Sequence, residues 1–181
     1  MARALVVYES FFGDALAVAQ AIADGIAVHL PADVVRAADA PAEFGPDVRL
    51  LVVGGPNHRT GMPTKASRQS AMDVSGTEMD VPATGLHEWL ETVRLPEIIV
   101  PAAAFDTRLE HPWILGHLDH AARTEERLLR RDGAVLIAPA EHFHVTTGSG
   151  PLADGEEDRA RRWGESLAVR AGLDATDSSR T

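Results

Sequence analysis

The 181-residue chain contains no cysteine, and this absence removes several kinds of chemistry at once. Without thiols it can form neither disulfides nor iron–sulfur clusters, and it has no thiolate nucleophile. Its apolar runs fall well short of the roughly 18 residues that a membrane-spanning helix needs. The apolar run near the N-terminus is also too short for the core of a signal peptide. We therefore expect a cytoplasmic protein that does not bind membranes.

Positive charge is also scarce. The chain has 17 basic and 27 acidic residues, which gives a formal net charge of −10. A field of this sign repels nucleic acid and anionic lipid, and it favours encounters with basic partner proteins. The length suits one domain. We expect that domain to cover residues 1–173, followed by a polar, frayed tail over residues 174–181.

Short apolar runs alternate with segments of helical periodicity along the chain. The strand-like runs cover residues 4–8, 34–35, 48–53, 98–104 and 134–138. The helical patterns cover residues 14–29, 84–93, 116–131 and 156–169. Strands that are apolar on both faces are typical of a parallel sheet covered by helices on both sides. The pattern predicts a doubly wound, five-stranded α/β domain, in which ligands bind beyond the carboxyl ends of the strands.

The most informative segment joins the first strand to the first helix. It reads Tyr8-Glu9-Ser10-Phe11-Phe12-Gly13-Asp14-Ala15. The N–H groups of such a loop and of the helix N-terminus together favour an anion. The Ser10 hydroxyl adds a possible donor, and Gly13 lets the backbone approach a ligand closely. The loop therefore predicts a phosphate-binding site.

This segment resembles the start of flavodoxins, in particular a bacterial branch with Tyr-Glu-Ser-aromatic/Met-Phe-Gly-Asn-Thr. Three further segments resemble the family in the same order: residues 50–62 and 105–108 are similar to its second and third flavin loops, and residues 150–164 to its C-terminal turn and helix. The resemblance implies a flavodoxin-like fold, with a parallel sheet in a three-layer αβα arrangement, and FMN as the cofactor.

Carried over to this chain, the resemblance implies two groups of cofactor-binding residues. Those at the FMN phosphate are Ser10, Phe11, Phe12 and Gly13, with Asp14 and Ala15 at the positions of the family's Asn-Thr. Those beside the isoalloxazine ring are Pro56, Asn57, His58, Gly61, Phe105, Asp106 and Thr107. The flavin performs the redox chemistry in this family, so we assign no catalytic residue.

The chain departs from the family pattern at both loops. Ala15 lacks the phosphate-binding hydroxyl of the family's threonine, and losing a hydrogen bond to a charged group costs about 1.5–3 kcal/mol. Asp14 places a carboxylate near a phosphate, unless it serves its own helix N-terminus. In the second loop His58 is the only ring between Gly55 and Met62. The aromatic candidates of the third loop are Phe105, His111 and Trp113.

Other conspicuous residues have structural explanations. Trp89 and Trp163 lie on apolar helical stripes, which is typical of packing residues. The spacing of His142 and His144 places them on one face of a strand, and that of His117 and His120 on one face of a helix. Without cysteine these pairs are a weak zinc or copper signal, and we assign no metal site. Glutamates interleave with arginines over residues 123–131, which indicates an exposed helix face with local ion pairs.

Three functions remain compatible with these residues. The first is an FMN-binding protein in electron transfer with a basic redox partner. The second is a flavin-free flavodoxin-like domain that acts in interaction or regulation, which Asp14 and Ala15 favour. The third is a flavin-dependent reductase of a small substrate such as a quinone, although the sequence offers no dedicated nicotinamide site.

Overall fold

The computed structural model describes residues 1–57, 84–109 and 121–173. The strands are β1 (Arg3–Tyr8), β2 (Ala32–Arg36), β3 (Val48–Pro56), β4 (Pro101–Leu109), β5 (Val135–Leu136) and β6 (Glu141–Val145). The helices are α1 (Asp14–Ile26), α2 (Leu86–Thr92), α3 (Ala121–Arg131) and α4 (Glu156–Arg170). A 3₁₀ turn, Ala37–Asp39, follows β2. None of the helices in these ranges is long and apolar enough to cross a membrane.

The strands form one parallel sheet in the order β2-β1-β3-β4-β5, and β6 also pairs with β4. β5 pairs with the start of β4 and β6 with its end, so the two occupy one edge position. The sheet therefore has five strand positions, of which the last is interrupted. The predicted doubly wound parallel sheet is confirmed.

Helices cover both faces of this sheet. One apolar cluster joins the sheet to α2 and α3 and includes Leu90 and Leu129. The other joins it to α1 and α4 and includes Ile22 and Leu167. Each helix turns the apolar side of a 3.6-residue pattern toward the sheet, as the periodicity of α1 and α4 predicted. The predicted three-layer αβα arrangement is confirmed.

The predicted bounds of the last two strand positions were wrong. β4 begins at Pro101 and continues to Leu109, whereas the prediction placed it at residues 98–104. Ile98 and Ile99 are 44% and 73% exposed, so the apolar run begins before the strand. The prediction ended the strand before Asp106 because that residue is charged. Similarly, the prediction of one strand over residues 134–138 missed β6, in which charged residues and histidines alternate with apolar ones.

Helices α1 and α4 approach each other closely on their face of the sheet. A Cβ atom on Gly25 would lie 2.0 Å from the Arg161 carbonyl oxygen, and one on Gly164 would lie 2.2 Å from that of Ile22. The absence of a side chain at both glycines lets the two backbones touch. The structure confirms packing roles for Trp89, which is 3% exposed, and for Trp163, whose ring lies edge-on to Phe143.

Candidate functional site

The candidate site lies where β1, β3 and β4 end. These strands are parallel neighbours, so the segments that follow them meet at one edge of the sheet. The first loop follows β1 and leads into α1. The described residues of the second segment end at Pro56 and Asn57, and those of the third segment end at Leu109. The structure therefore brings together the described parts of all three segments that the resemblance assigns to FMN.

The first loop forms a tight turn that depends on glycine. Gly13 has a φ of 100°, in the left-handed region, and a Cβ atom there would meet nothing within 4 Å. The Gly13 N–H donates to the Ser10 Oγ at 3.1 Å. Among the described residues no acceptor takes the Ser10 hydroxyl hydrogen.

The N-terminus of α1 also keeps donors for a ligand. The first four N–H groups of a helix have no acceptor within the helix. At α1 the first, that of Gly13, donates to Ser10, and the second is that of Asp14. The N–H groups of Ala15 and Leu16 complete this set. Helix N–H groups and a hydroxyl are donors of the kinds that bind phosphate at helix N-termini.

The Asp14 carboxylate lies beside the turn before α4. The N–H groups of Asp14 and Leu152 favour its ionised form. The carboxylate lies against Gly150, where a Cβ atom would come within 2.6 Å of the Asp14 Oδ1. Burial raises the pKa of Asp14, and the two N–H groups oppose this shift. Asp14 thus lies against the turn before α4, and the N-cap of α1 is Gly13 rather than Asp14.

The other predicted phosphate-site residues differ in exposure. Ala15 is 2% exposed and packs in the core beneath the loop, so its side chain offers nothing to a ligand. Phe11 is half-buried, whereas Phe12 is 47% exposed. In the second segment the Asn57 N–H donates to the Thr107 carbonyl oxygen at 2.8 Å, which ties the end of β3 to β4.

The predicted third-loop residues Phe105, Asp106 and Thr107 lie within β4. Phe105 is fully buried, and its ring occupies the space that a Cβ atom on Gly54 would need. The same ring lies edge-on to Phe143, with 6.2 Å between the centroids. Because its ring is fully buried, the prediction of Phe105 as a residue that stacks on a flavin is wrong. His58 and Gly61, like His111 and Trp113, lie outside the described residues.

A group of buried carboxylates, which the sequence analysis missed, lies beneath the same edge. Asp106 is fully buried, and Arg108 donates to both of its carboxylate oxygens at 2.9 and 2.8 Å. The Nδ1 of His142 lies 3.1 Å from the Asp106 Oδ1 and also contacts Arg108. Glu9 is 6% exposed, and its Oε2 accepts from the Leu86 N–H at 3.0 Å.

The prediction of an exposed, ion-paired face on α3 is wrong at Glu125, which is buried. Glu126 does pair with Arg130 at 3.5 Å, as helical spacing predicts. Glu125, however, is only 2% exposed, and within the described ranges its Oε2 has no hydrogen-bond partner. Burial raises the pKa of Glu125 well above its ordinary value, and the negative charges of Asp106, Glu9 and Glu126 raise it further. The sequence signal that could have found this group is the placement of Glu9 and Asp106 in strand-terminal segments that are otherwise buried.

The two histidines of β6 lie beside the protein's own acids. His142 contacts Asp106, and the Nδ1 of His144 lies 3.9 Å from the Glu156 Oε2. Within the described ranges, no three His, Asp or Glu side chains are arranged to hold a metal ion. The second predicted pair, His117 and His120, lies outside those ranges.

Comparison with known proteins gives structural matches only. No family model matches the chain, and no curated protein matches it. Among solved structures, a flavodoxin from the domain Archaea superposes with a TM-score of 0.60 at 18% identity, over 94% of this chain and 99% of the other. Flavodoxin 2 from Bacillus cereus gives 0.58 at 16% identity, over 94% and 98% of the two chains.

A third match is the flavodoxin WrbA-like protein from Agrobacterium tumefaciens. It superposes with a TM-score of 0.58 at 17% identity, over 95% of this chain and 98% of the other. At these identities the likeness concerns the fold, and it extends over nearly the whole of each chain. The resemblance first suggested by the loop after β1 is thus confirmed at the level of architecture: the chain has a flavodoxin-like fold.

Proposed function

We propose that the protein binds FMN at the shared edge of β1, β3 and β4 and transfers electrons. The observation that carries the proposal is the first loop, where Ser10 and the left-handed turn at Gly13 directly precede the N-terminus of α1. A helix N-terminus preceded by such a turn binds phosphate through both its donors and its dipole. The negative charge of Asp14 weighs against this binding, and its carboxylate lies against Gly150 in the turn before α4.

The chain's own residues would bind and orient the cofactor. Ser10 and the start of α1 would hold the phosphate, and Pro56 and Asn57 would flank the ring from β3. The proposed ring contacts also include His58 and Gly61, and the backbone of Asp106 and Thr107. The flavin, when bound, supplies the one- or two-electron chemistry, and the protein sets its potential through hydrogen bonds and nearby charge.

The acidic surface suggests the kind of partner. With a net charge of −10, the protein would meet a basic reductase or acceptor faster than a neutral one. The attraction acts between separated surfaces, so salt screens it over about 10 Å at 0.1 M ionic strength. A cytoplasmic location would provide such partners. We therefore expect electron transfer to slow as salt is added.

The test is an absorbance spectrum and an FMN titration of the protein purified without added cofactor. We expect saturable binding in the micromolar range or tighter. Ser10→Ala should weaken it roughly 10- to 100-fold, since a hydrogen bond to a charged group contributes about 1.5–3 kcal/mol. Ser166→Ala is the matched control, because the Ser166 Oγ donates to the Trp163 carbonyl within α4. Equal affinities of the two variants would contradict the assigned phosphate site.

A flavin-free interaction domain is the second candidate. It is favoured by Ala15, which offers no hydroxyl, and by Phe105, whose ring is buried away from the edge. Under this alternative, millimolar FMN changes neither the spectrum nor the melting temperature, and the preparation is colourless. The same titration therefore distinguishes the two functions.

A further inference from the structure

Three carboxylates from separate parts of the chain lie close to one another beneath the proposed cofactor edge. Glu9 follows β1, Asp106 lies in β4 and Glu125 lies in α3, and we refer to them as the carboxylate cluster. Their exposures are 6%, 0% and 2%. An ionised carboxylate at such depth is costly unless a positive charge or several hydrogen bonds compensate it. The partners of each therefore decide its charge.

Two of the three carboxylates have hydrogen-bond partners, and Asp106 also has a positive charge beside it. Asp106 accepts hydrogen bonds from Nε and from one terminal nitrogen of Arg108, at 2.9 and 2.8 Å. It also contacts His142. The Oε2 of Glu9 accepts from Leu86, the first residue of α2. Glu125 differs, because no group in the described part of the chain donates to its buried Oε2.

The groups around Glu125 make its ionisation still less favourable. The acidic groups whose charges act on Glu125 are Asp106 and Glu9, with Glu126 on its own helix. Arg108 and His142 both contact Asp106. Glu126 is itself engaged by the Ala140 N–H and by Arg130. On α2, which packs against α3, Glu88 accepts from the Gly85 N–H and His87 lies 3.9 Å from Glu91. Arg108, which lies beside the cluster, donates to Asp106.

We propose that Glu125 is a buried proton-binding site that keeps its proton at neutral pH. Protonation removes the cost of burying a third negative charge beside Glu9 and Asp106. It also gives the side chain an O–H donor, which a carboxylate lacks. The direction of the pKa shift agrees, because burial and the neighbouring carboxylates all favour the neutral acid.

The proton also has a consequence for the cofactor edge, and this part rests on the proposed function. Glu9 and Asp106 belong to the segments that connect to the first and third loops. One proton on Glu125 therefore reduces the negative charge beneath the cofactor edge by one unit. An anionic ligand such as FMN should therefore bind more weakly at alkaline pH, where Glu125 loses its proton. Glu125→Gln should remove this share of the pH dependence.

Infrared spectroscopy of the protein without FMN tests the proposal independently of cofactor binding. At pH 7 in D₂O, we expect the wild-type protein to show the carbonyl stretch of a protonated carboxylic acid. Glu125→Gln should lack this band, whereas the matched control Glu126→Gln should retain it. Absence of the band from the wild-type protein at pH 7, or its persistence in Glu125→Gln, would overturn the assignment.

Stability measured against pH provides a second readout. A folded pKa above the unfolded one means that the folded state binds more protons, so stability falls as pH rises from about 4.5 through the folded value. The unfolding equilibrium constant of the wild-type protein should rise by up to about tenfold per pH unit in that window. Glu125→Gln should lack this component, as should Glu125→Leu if the glutamine variant does not fold. Unchanged pH slopes in the variants would refute the proposal.

Discussion

Replacing Gly164 with alanine tests the packing that positions the first loop. The new Cβ atom would lie 2.2 Å from the Ile22 carbonyl oxygen, whereas ordinary contacts begin near 3.4 Å. The helices would therefore have to separate by about 1.2 Å, the difference between these distances. Because the obstructing atom belongs to the backbone, no side-chain rotation relieves the clash.

The expected loss of stability follows from two opposing effects. Overpacking of a well-packed interior costs typically 1–3 kcal/mol, and we take about 3 here because backbone atoms collide. Alanine returns about 1 kcal/mol through its higher helix propensity. The net loss is about 2 kcal/mol, which for a chain of this size lowers the melting temperature by roughly 4–8 °C.

Circular dichroism melting of Gly164→Ala beside Glu165→Ala measures this effect. Glu165 is exposed on the same helix, so its replacement should change stability by less than about 0.5 kcal/mol. Because α1 begins at the first loop, Gly164→Ala should also weaken FMN binding if the proposed function is correct. A Gly164→Ala protein as stable as the wild type would refute the close crossing of α1 and α4.

Two further changes test individual contacts. Asp14→Ala removes the carboxylate that lies against Gly150 and whose ionised form the Leu152 N–H favours. We expect urea denaturation to show a loss of about 1–2 kcal/mol, and an unchanged midpoint would contradict a stabilising contact. Burial opposes ionisation of Glu156, but hydrogen bonds from Arg159 and the His144 N–H lower its pKa overall. The advantage of the wild type over Glu156→Gln should therefore shrink as pH falls below about 4.5, and parallel melting curves across pH 7 to 3 would contradict this.

The sheet and its covering helices were predictable because apolar periodicity reports burial directly. The run of residues 4–8 matched β1 closely, since both faces of that strand are covered. The prediction from apolar runs failed where a buried residue is charged. Asp106 is buried inside β4 because Arg108 compensates it, and a criterion based on apolar runs ended the strand before it.

The candidate site was predictable only in part. The loop from Ser10 to Gly13 has local turn chemistry, which depends on residues close in sequence. The buried position of Glu125 depends on α3 packing against β4, and helical spacing with nearby arginines indicated the exposed face instead. Likewise, the contact between Asp14 and Leu152 joins residues that only the fold brings together. Long-range contacts of this kind leave no periodic signal in one sequence.

The central claim is that FMN binds at the shared edge of β1, β3 and β4, with its phosphate at the first loop. Amide chemical shifts measured by NMR during an FMN titration test both the binding and its place. We expect saturable shifts at Ser10, Gly13, Ala15 and Leu16, accompanied by Asn57. Amides that remain unchanged at millimolar FMN, or shifts confined to the opposite ends of the strands, would contradict the claim.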